Sequence, residues 1–136
     1  MQERELTIME GQKNPTTVLL VEDTEDNRSM MKRLLEMSGY QVLEAVNGEE
    51  AVGMAGRERP RIILMDLSLP VIDGLAATRR IRHLPGLSGV PIIAVSAHDR
   101  ADFHTEALAA GCDAYITKPI DFTELEDLIS HLLSKQ

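Results

Sequence analysis

A chain of 136 residues with 43% hydrophobic content suits one globular domain around a single core, and neither its length nor its turn residues leave room for a second. The formal net charge of −8 argues against nucleic acid as a direct partner, because phosphate backbones are bound by clustered Lys and Arg. The single cysteine, Cys112, excludes an internal disulfide, suits a reducing cytosol and reads as a small buried side chain.

Residues 1 to 15 have neither the apolar core nor the cleavage site of a signal peptide. With scattered charges and Gly11, Asn14 and Pro15 at the end, they are expected to form a flexible tail ahead of a domain spanning residues 16 to 136. No segment approaches transmembrane length, so no membrane insertion is expected. From Thr16 onward apolar runs and helical stripes alternate. TVLLVED reads as a strand ending in two acids, and EDNRSMMKRLLEMSG as a helix with Met30, Leu34 and Met37 inward and Gly39 as its stop. YQVLEA is a weaker strand, polar at Gln41 and Glu44 as an edge allows, and NGEEAVGMAGRE is a helix weakened by Gly53.

In RIILMDLSLPVIDG, residues 62 to 65 are apolar and lead straight into Asp66 before the chain breaks at Pro70 and Gly74. Such a run reads as a strand covered on both faces. A helix from about Gly74 to Arg82 follows, with Leu75, Thr78 and Ile81 inward, and VPIIAVSA is a fourth strand. The next helix runs from about Arg100 to Ala110 and stops at Gly111, and DAYITKP is the fifth strand. The last helix, DFTELEDLISHLLSK, carries Phe122, Leu125, Leu128 or Ile129, and Leu132 on one face and has Asp121 as its cap. Five βα units imply an α/β fold: a doubly wound five-stranded parallel sheet with helices on both faces, in the flavodoxin-like order 2-1-3-4-5.

Open sheets of this kind bind ligands at the carboxyl ends of their strands. Glu22 and Asp23 stand there on the first strand, Asp66 on the third, Ser96 on the fourth and Lys118 on the fifth. Two like charges about 4 Å apart repel by roughly 4 kcal/mol at an effective dielectric near 20, so the three acids call for a cation. All-oxygen ligation with room for water and phosphate suits Mg²⁺. Lys118 and the Ser96 hydroxyl complement a phosphoryl group, and a carboxylate is a competent nucleophile for phosphoryl transfer. Asp66 is therefore read as a phosphorylation site.

These residues resemble the receiver domains of two-component response regulators over about residues 16 to 134. LLVEDTEDNR is similar to the family's first strand with its acid pair, ILMDLSLPVIDG to the phosphoacceptor strand and its loop, IIAVSA to the strand ending in Ser or Thr, and GCDAYITKPI to the strand with the switch aromatic and the lysine before proline. The resemblance implies Asp66 as phosphoacceptor, Asp23 as a direct Mg²⁺ ligand, Glu22 as a ligand directly or through water, and the backbone carbonyl of Ser68 as a further one. It implies that Ser96 and Lys118 hold the phosphate, that the Lys118–Pro119 bond is cis, and that His98 occupies a position that tunes phosphate lifetime. Tyr115 is expected to turn from an exposed to a buried rotamer, remodelling the face of the fourth helix, fifth strand and fifth helix where a downstream protein docks.

The expected function is a cytoplasmic, stand-alone switch phosphorylated by a histidine kinase or histidine phosphotransfer protein, not an enzyme beyond self-phosphorylation and self-dephosphorylation. The alternatives are a receiver cut from a hybrid kinase or longer regulator, or a phosphorylation-independent interaction module. A haloacid-dehalogenase-type phosphatase needs a second Asp two residues after the nucleophile, where Ser68 stands, and a flavin site needs a glycine-rich phosphate loop where the sequence has EDTEDNR. Taken singly, the Glu22–Asp23 pair reads as a helix cap, Ser96 as a strand-end hydroxyl and Tyr115 as packing. His83, His98, His104 and His131 lack metal-ligand spacing, and the groups Arg57/Arg59/Arg61 and Arg79/Arg80/Arg82 read as solvated surface.

Overall fold

The computed structural model describes residues 15–69 and 71–135; the flexible tail expected over residues 1 to 15 lies outside them but for Pro15. The chain alternates β1 (Thr17–Val21), α1 (Glu25–Met37), β2 (Gln41–Ala45), α2 (Gly48–Glu58), β3 (Ile62–Asp66), α3 (Gly74–Arg82), β4 (Ile92–Ser96), α4 (Ala101–Ala110), β5 (Ala114–Thr117) and α5 (Phe122–Ser134). All four strand pairings are parallel, in the order β2-β1-β3-β4-β5, as the alternation predicts.

Because successive strand residues face opposite ways, the sheet feeds two cores. Leu19, Val21, Ile63, Met65 and Ala94 pack with Ala51 and Ala55 of α2, Ala77 and Ile81 of α3 and Ala107 of α4. On the other side Val18, Leu20, Ile62, Leu64, Ile93 and Ile116 pack with Met31 and Leu35 of α1 and Leu125 and Ile129 of α5. β3 and β4 are buried along their whole length, the condition for a central strand of a doubly covered sheet.

α1 packs on a different stripe from the one its spacing indicates. Met31 and Leu35 are buried, whereas Met30 is 57% and Met37 78% exposed. Both stripes, Met30/Leu34 and Met31/Leu35, have the i, i+4 spacing of a packed face, and they differ by one step around the helix. Periodicity does not choose between them; the contact with β1 and α5 does.

Arg82 also departs from expectation. Its side chain is only 15% exposed and its guanidinium donates to the Gly111 carbonyl at 2.6 and 2.9 Å, to the carbonyls of Leu87 and Val90, and to Asp113 Oδ2 at 2.9 Å. That same Asp113 oxygen accepts the Ile92 N–H at 2.8 Å. Arg82 thus joins α3 to the entry of β4 and to the turn before β5, while Arg57, Arg59, Arg61, Arg79 and Arg80 are exposed as expected.

Candidate functional site

Parallel register sets the site. Val21 pairs with Met65, so Glu22 and Asp66 follow level with each other; Asp66 pairs with Val95, just before Ser96; Ser96 pairs with Thr117, just before Lys118. Alternation then sorts the side chains. Glu22, Asp66 and Lys118 share the parity of Leu20, Leu64 and Ile116, the α1/α5 side, whereas Ser96 and Tyr115 go with the α2–α4 side. Glu22, Asp66 and Lys118 are thereby brought together on one side of the sheet's carboxyl edge, with Ser96 on the other.

On the first side, Lys118 Nζ lies 3.0 Å from Asp66 Oδ2 and 3.4 Å from Glu22 Oε1. Asp66 Oδ1 accepts the Ser68 N–H at 2.8 Å and Glu22 Oε2 the Thr24 N–H at 2.9 Å. Asp66 is 3% and Glu22 7% exposed; Asp23 is exposed. Burial and then the Asp66 charge push the Glu22 carboxyl above its ordinary pKa, although the Thr24 N–H and Lys118 oppose them. Burial works against the Lys118 ammonium, but Asp66 and Glu22 outweigh it and hold the lysine above its ordinary value. The Lys118–Pro119 bond is cis.

Carboxylate oxygens of Glu22, Asp23 and Asp66 lie within 4.8 Å of one another. Three acids against one ammonium leave local negative charge, and every free donor is a hard oxygen, so the set fits a small hard cation such as Mg²⁺. The cap of α1 is Thr24, and its side chain makes no capping bond, so the Glu22–Asp23 pair is not explained as a cap.

Two features hold these acids that pattern reading did not reveal. Arg28 in the first turns of α1 donates to the Glu22 backbone carbonyl at 2.9 Å and reaches Glu44 on β2 at 3.3 Å, fastening the acid-bearing turn from behind. Its pairing with an edge strand sixteen residues away had no sequence signal. Gly74 sits so close to the end of β3 that a Cβ there would stand 2.3 Å from the Asp66 carbonyl oxygen, which is why α3 can begin directly against the site. The sequence marked Gly74 only as a break.

On the second side, Ser96 is buried and its Oγ accepts the His98 N–H at 3.1 Å. The Tyr115 hydroxyl donates to the His98 carbonyl at 2.6 Å. Tyr115 is half-buried, with its hydroxyl engaged by the loop after β4. A groove of about 480 Å³ opens on the α1/α5 side between Met30, Leu34, Ile120 and Phe122 and ends at Glu22, Asp66 and Lys118.

A doubly wound α/β domain with an acid cluster and a lysine at its switch point defines a class, and comparison with known proteins gives the family. The model of the response regulator receiver domain matches residues 18–130. The polar-differentiation response regulator DivK of Brucella anthropi is 37% identical over 119 residues, covering 88% of this chain and 97% of that protein. Among solved structures, the receiver domain of a Pseudomonas aeruginosa sensor histidine kinase, described with a magnesium ion coordinated in its active-site cleft, is 37% identical with a TM-score of 0.83 over 88% of this chain and 98% of that one. A chemotaxis protein of the CheY type from Vibrio cholerae is 25% identical with a TM-score of 0.83, covering 87% and 98% of the two chains. The chain belongs to the response regulator receiver domain family of two-component signal transduction. Among the described residues, no helix is long and apolar enough to cross a membrane.

Proposed function

We propose that this receiver is a phosphorylation-activated switch that takes a phosphoryl group onto Asp66 from a histidine kinase or a histidine phosphotransfer protein and signals by protein contact. The observation that carries this reading is the Asp66 carboxylate itself: buried, 3.0 Å from the Lys118 ammonium and within a cluster of acids no wider than 4.8 Å. In the transfer an Asp66 oxygen attacks phosphorus, the P–N bond to the donor imidazole breaks, and imidazole departs with the bonding pair, leaving an acyl phosphate on Asp66. With acetyl phosphate the broken bond is P–O and acetate departs.

Lys118, held protonated by the two carboxylates, offsets charge on the phosphoryl oxygens. The Ser96 oxygen accepts from His98 N–H, which leaves the hydroxyl proton to donate to the phosphate. Glu22, Asp23, Asp66 and the Ser68 carbonyl would hold Mg²⁺, which when bound neutralises the acid cluster and the charge of the phosphoryl group. The groove that ends at Asp66, apolar at Met30, Leu34 and Phe122, suits the helix that presents the donor histidine. The surface of α4, β5 and α5 suits the downstream partner, because Tyr115 there is tied to the same loop as Ser96. Apart from its own phosphorylation and the later hydrolysis, the chain catalyses nothing.

Intact-mass analysis after incubation with Mg²⁺ and acetyl phosphate tests this. One phosphoryl group is expected on the wild type and none on Asp66→Asn; labelling retained by the variant would move the acceptor elsewhere. A second reading places the domain as a relay within a hybrid kinase, supported by an identity to the Pseudomonas kinase receiver, 37%, equal to that with DivK. In that case phosphorylated protein passes its phosphoryl group rapidly to a histidine phosphotransfer protein, whereas a terminal switch retains it.

A further inference from the structure

The end of β4 and the loop after it, residues 96 to 100, are tied to β5 and the residue that follows it at three points. Lys118 N–H donates to the Ser96 carbonyl at 2.7 Å, the Tyr115 hydroxyl to the His98 carbonyl at 2.6 Å, and the Thr117 hydroxyl to Asp99 Oδ1 at 3.1 Å. A further tie comes from α4. The His104 imidazole lies flat on the Tyr115 ring, with centroids 3.9 Å apart and planes 21° from parallel, and its Nε2 is 3.2 Å from the same Asp99 oxygen. His104 therefore touches the tyrosine and the loop at once. Its side chain is 39% exposed, and the core does not require it.

We propose that His104 is a positioning residue that holds Tyr115 in its loop-bound rotamer, and so presets the Ser96–His98 turn for a phosphoryl group. The inference rests on Asp66 being the phosphoacceptor. The physical argument is one of populations. An aromatic stack and a hydrogen bond of ordinary strength each raise the population of the state that contains them by about two- to tenfold. A ligand that needs that state binds in proportion to its population, so removing the clamp weakens binding without touching a group that contacts phosphate. This also accounts for the half-buried Tyr115.

The chain has two tyrosines and no tryptophan, so in a Tyr40→Phe background Tyr115 is the only tyrosine and supplies the emission when excited above the phenylalanine band. Acrylamide quenching of that signal in metal-free protein should increase in His104→Ala, and beryllofluoride with Mg²⁺ should bind about two- to tenfold more weakly. His104→Phe, which keeps the stack and loses the Asp99 contact, should restore most of the protection. Asp99→Ala, which leaves the ring in place and removes the acceptor, should lose part of it, and circular dichroism of each variant establishes that it is folded. Unchanged quenching in folded His104→Ala overturns the proposal. If wild-type protein fails to bind beryllofluoride, the phosphoacceptor reading is what fails, and the quenching arm still decides the clamp.

Discussion

At the scale of single residues, the site is defined by charge held out of water. Glu22 is nearly buried beside a second carboxylate, and both influences favour its protonated form. A group whose folded pKa is raised above its unfolded value of 4.5 contributes stability that is present below that pH and lost as pH rises through the folded pKa. In chelator, the thermal midpoint of Glu22→Gln relative to wild type should therefore climb as pH increases from 4.5, and level off above the folded pKa. Saturating Mg²⁺ should shrink the difference, since a cation favours the ionised carboxylate. A difference that stays flat across this range would contradict the burial and repulsion assigned to Glu22. Asp66 and Lys118 were legible as candidate site residues from residue type and strand position alone, because a charge at the end of an apolar run has few structural reasons to be there. The role of Arg28 was not, since nothing in EDNR says which carbonyl the guanidinium reaches.

At the scale of elements, α1 and Arg82 carry the two corrections. Met31 is 6% exposed, and Met31→Ala should cost about 2–4 kcal/mol by urea unfolding. Met37 is 78% exposed, so Met37→Ala should change stability by no more than about 0.5 kcal/mol. A larger loss from Met37→Ala than from Met31→Ala would mean that α1 packs on the stripe its spacing indicates. Arg82→Ala removes a guanidinium shared by α3, the segment before β4 and the turn before β5, leaving carbonyls without their donor. A loss of about 2–4 kcal/mol is expected. Arg82→Lys should recover little of it, because an ammonium on a flexible stem does not reproduce the planar fork; full recovery of the urea midpoint would refute the shared-fork account.

For the molecule as a whole, a ligand that binds only the folded chain raises its stability by RT ln(1 + L/Kd), with L the free ligand concentration. Mg²⁺ at ten times its Kd should add about 1.4 kcal/mol to the unfolding free energy, seen as an upward shift of the thermal midpoint. Asp23→Asn should need more metal for the same shift. Its carboxylate is the exposed member of the cluster, so its loss leaves the core intact. A midpoint that moves identically with Mg²⁺ in both proteins would remove Asp23 from the ligand set. The formal charge of −8 makes some non-specific response to divalent ions expected, and Ca²⁺ at matched ionic strength is the control.

The sequence by itself determined the alternation of five strands and five helices, the edge position of β2, and the acids and lysine at the strand ends. These are local signals: apolar runs bounded by turns, helical spacing and stop residues act over a few neighbours. Only the tertiary structure decided which of two equally spaced stripes of α1 meets the sheet, that Arg82 is bound inward rather than solvated, and that Ser96 and Tyr115 lie on the other side of the sheet from Asp66. It also decided that His104, ordinary by its spacing, stacks on Tyr115. The bonds of Lys118 to Asp66 and Glu22 join positions 52 and 96 residues apart, and such contacts follow from strand register and packing between distant elements, which no window of sequence contains.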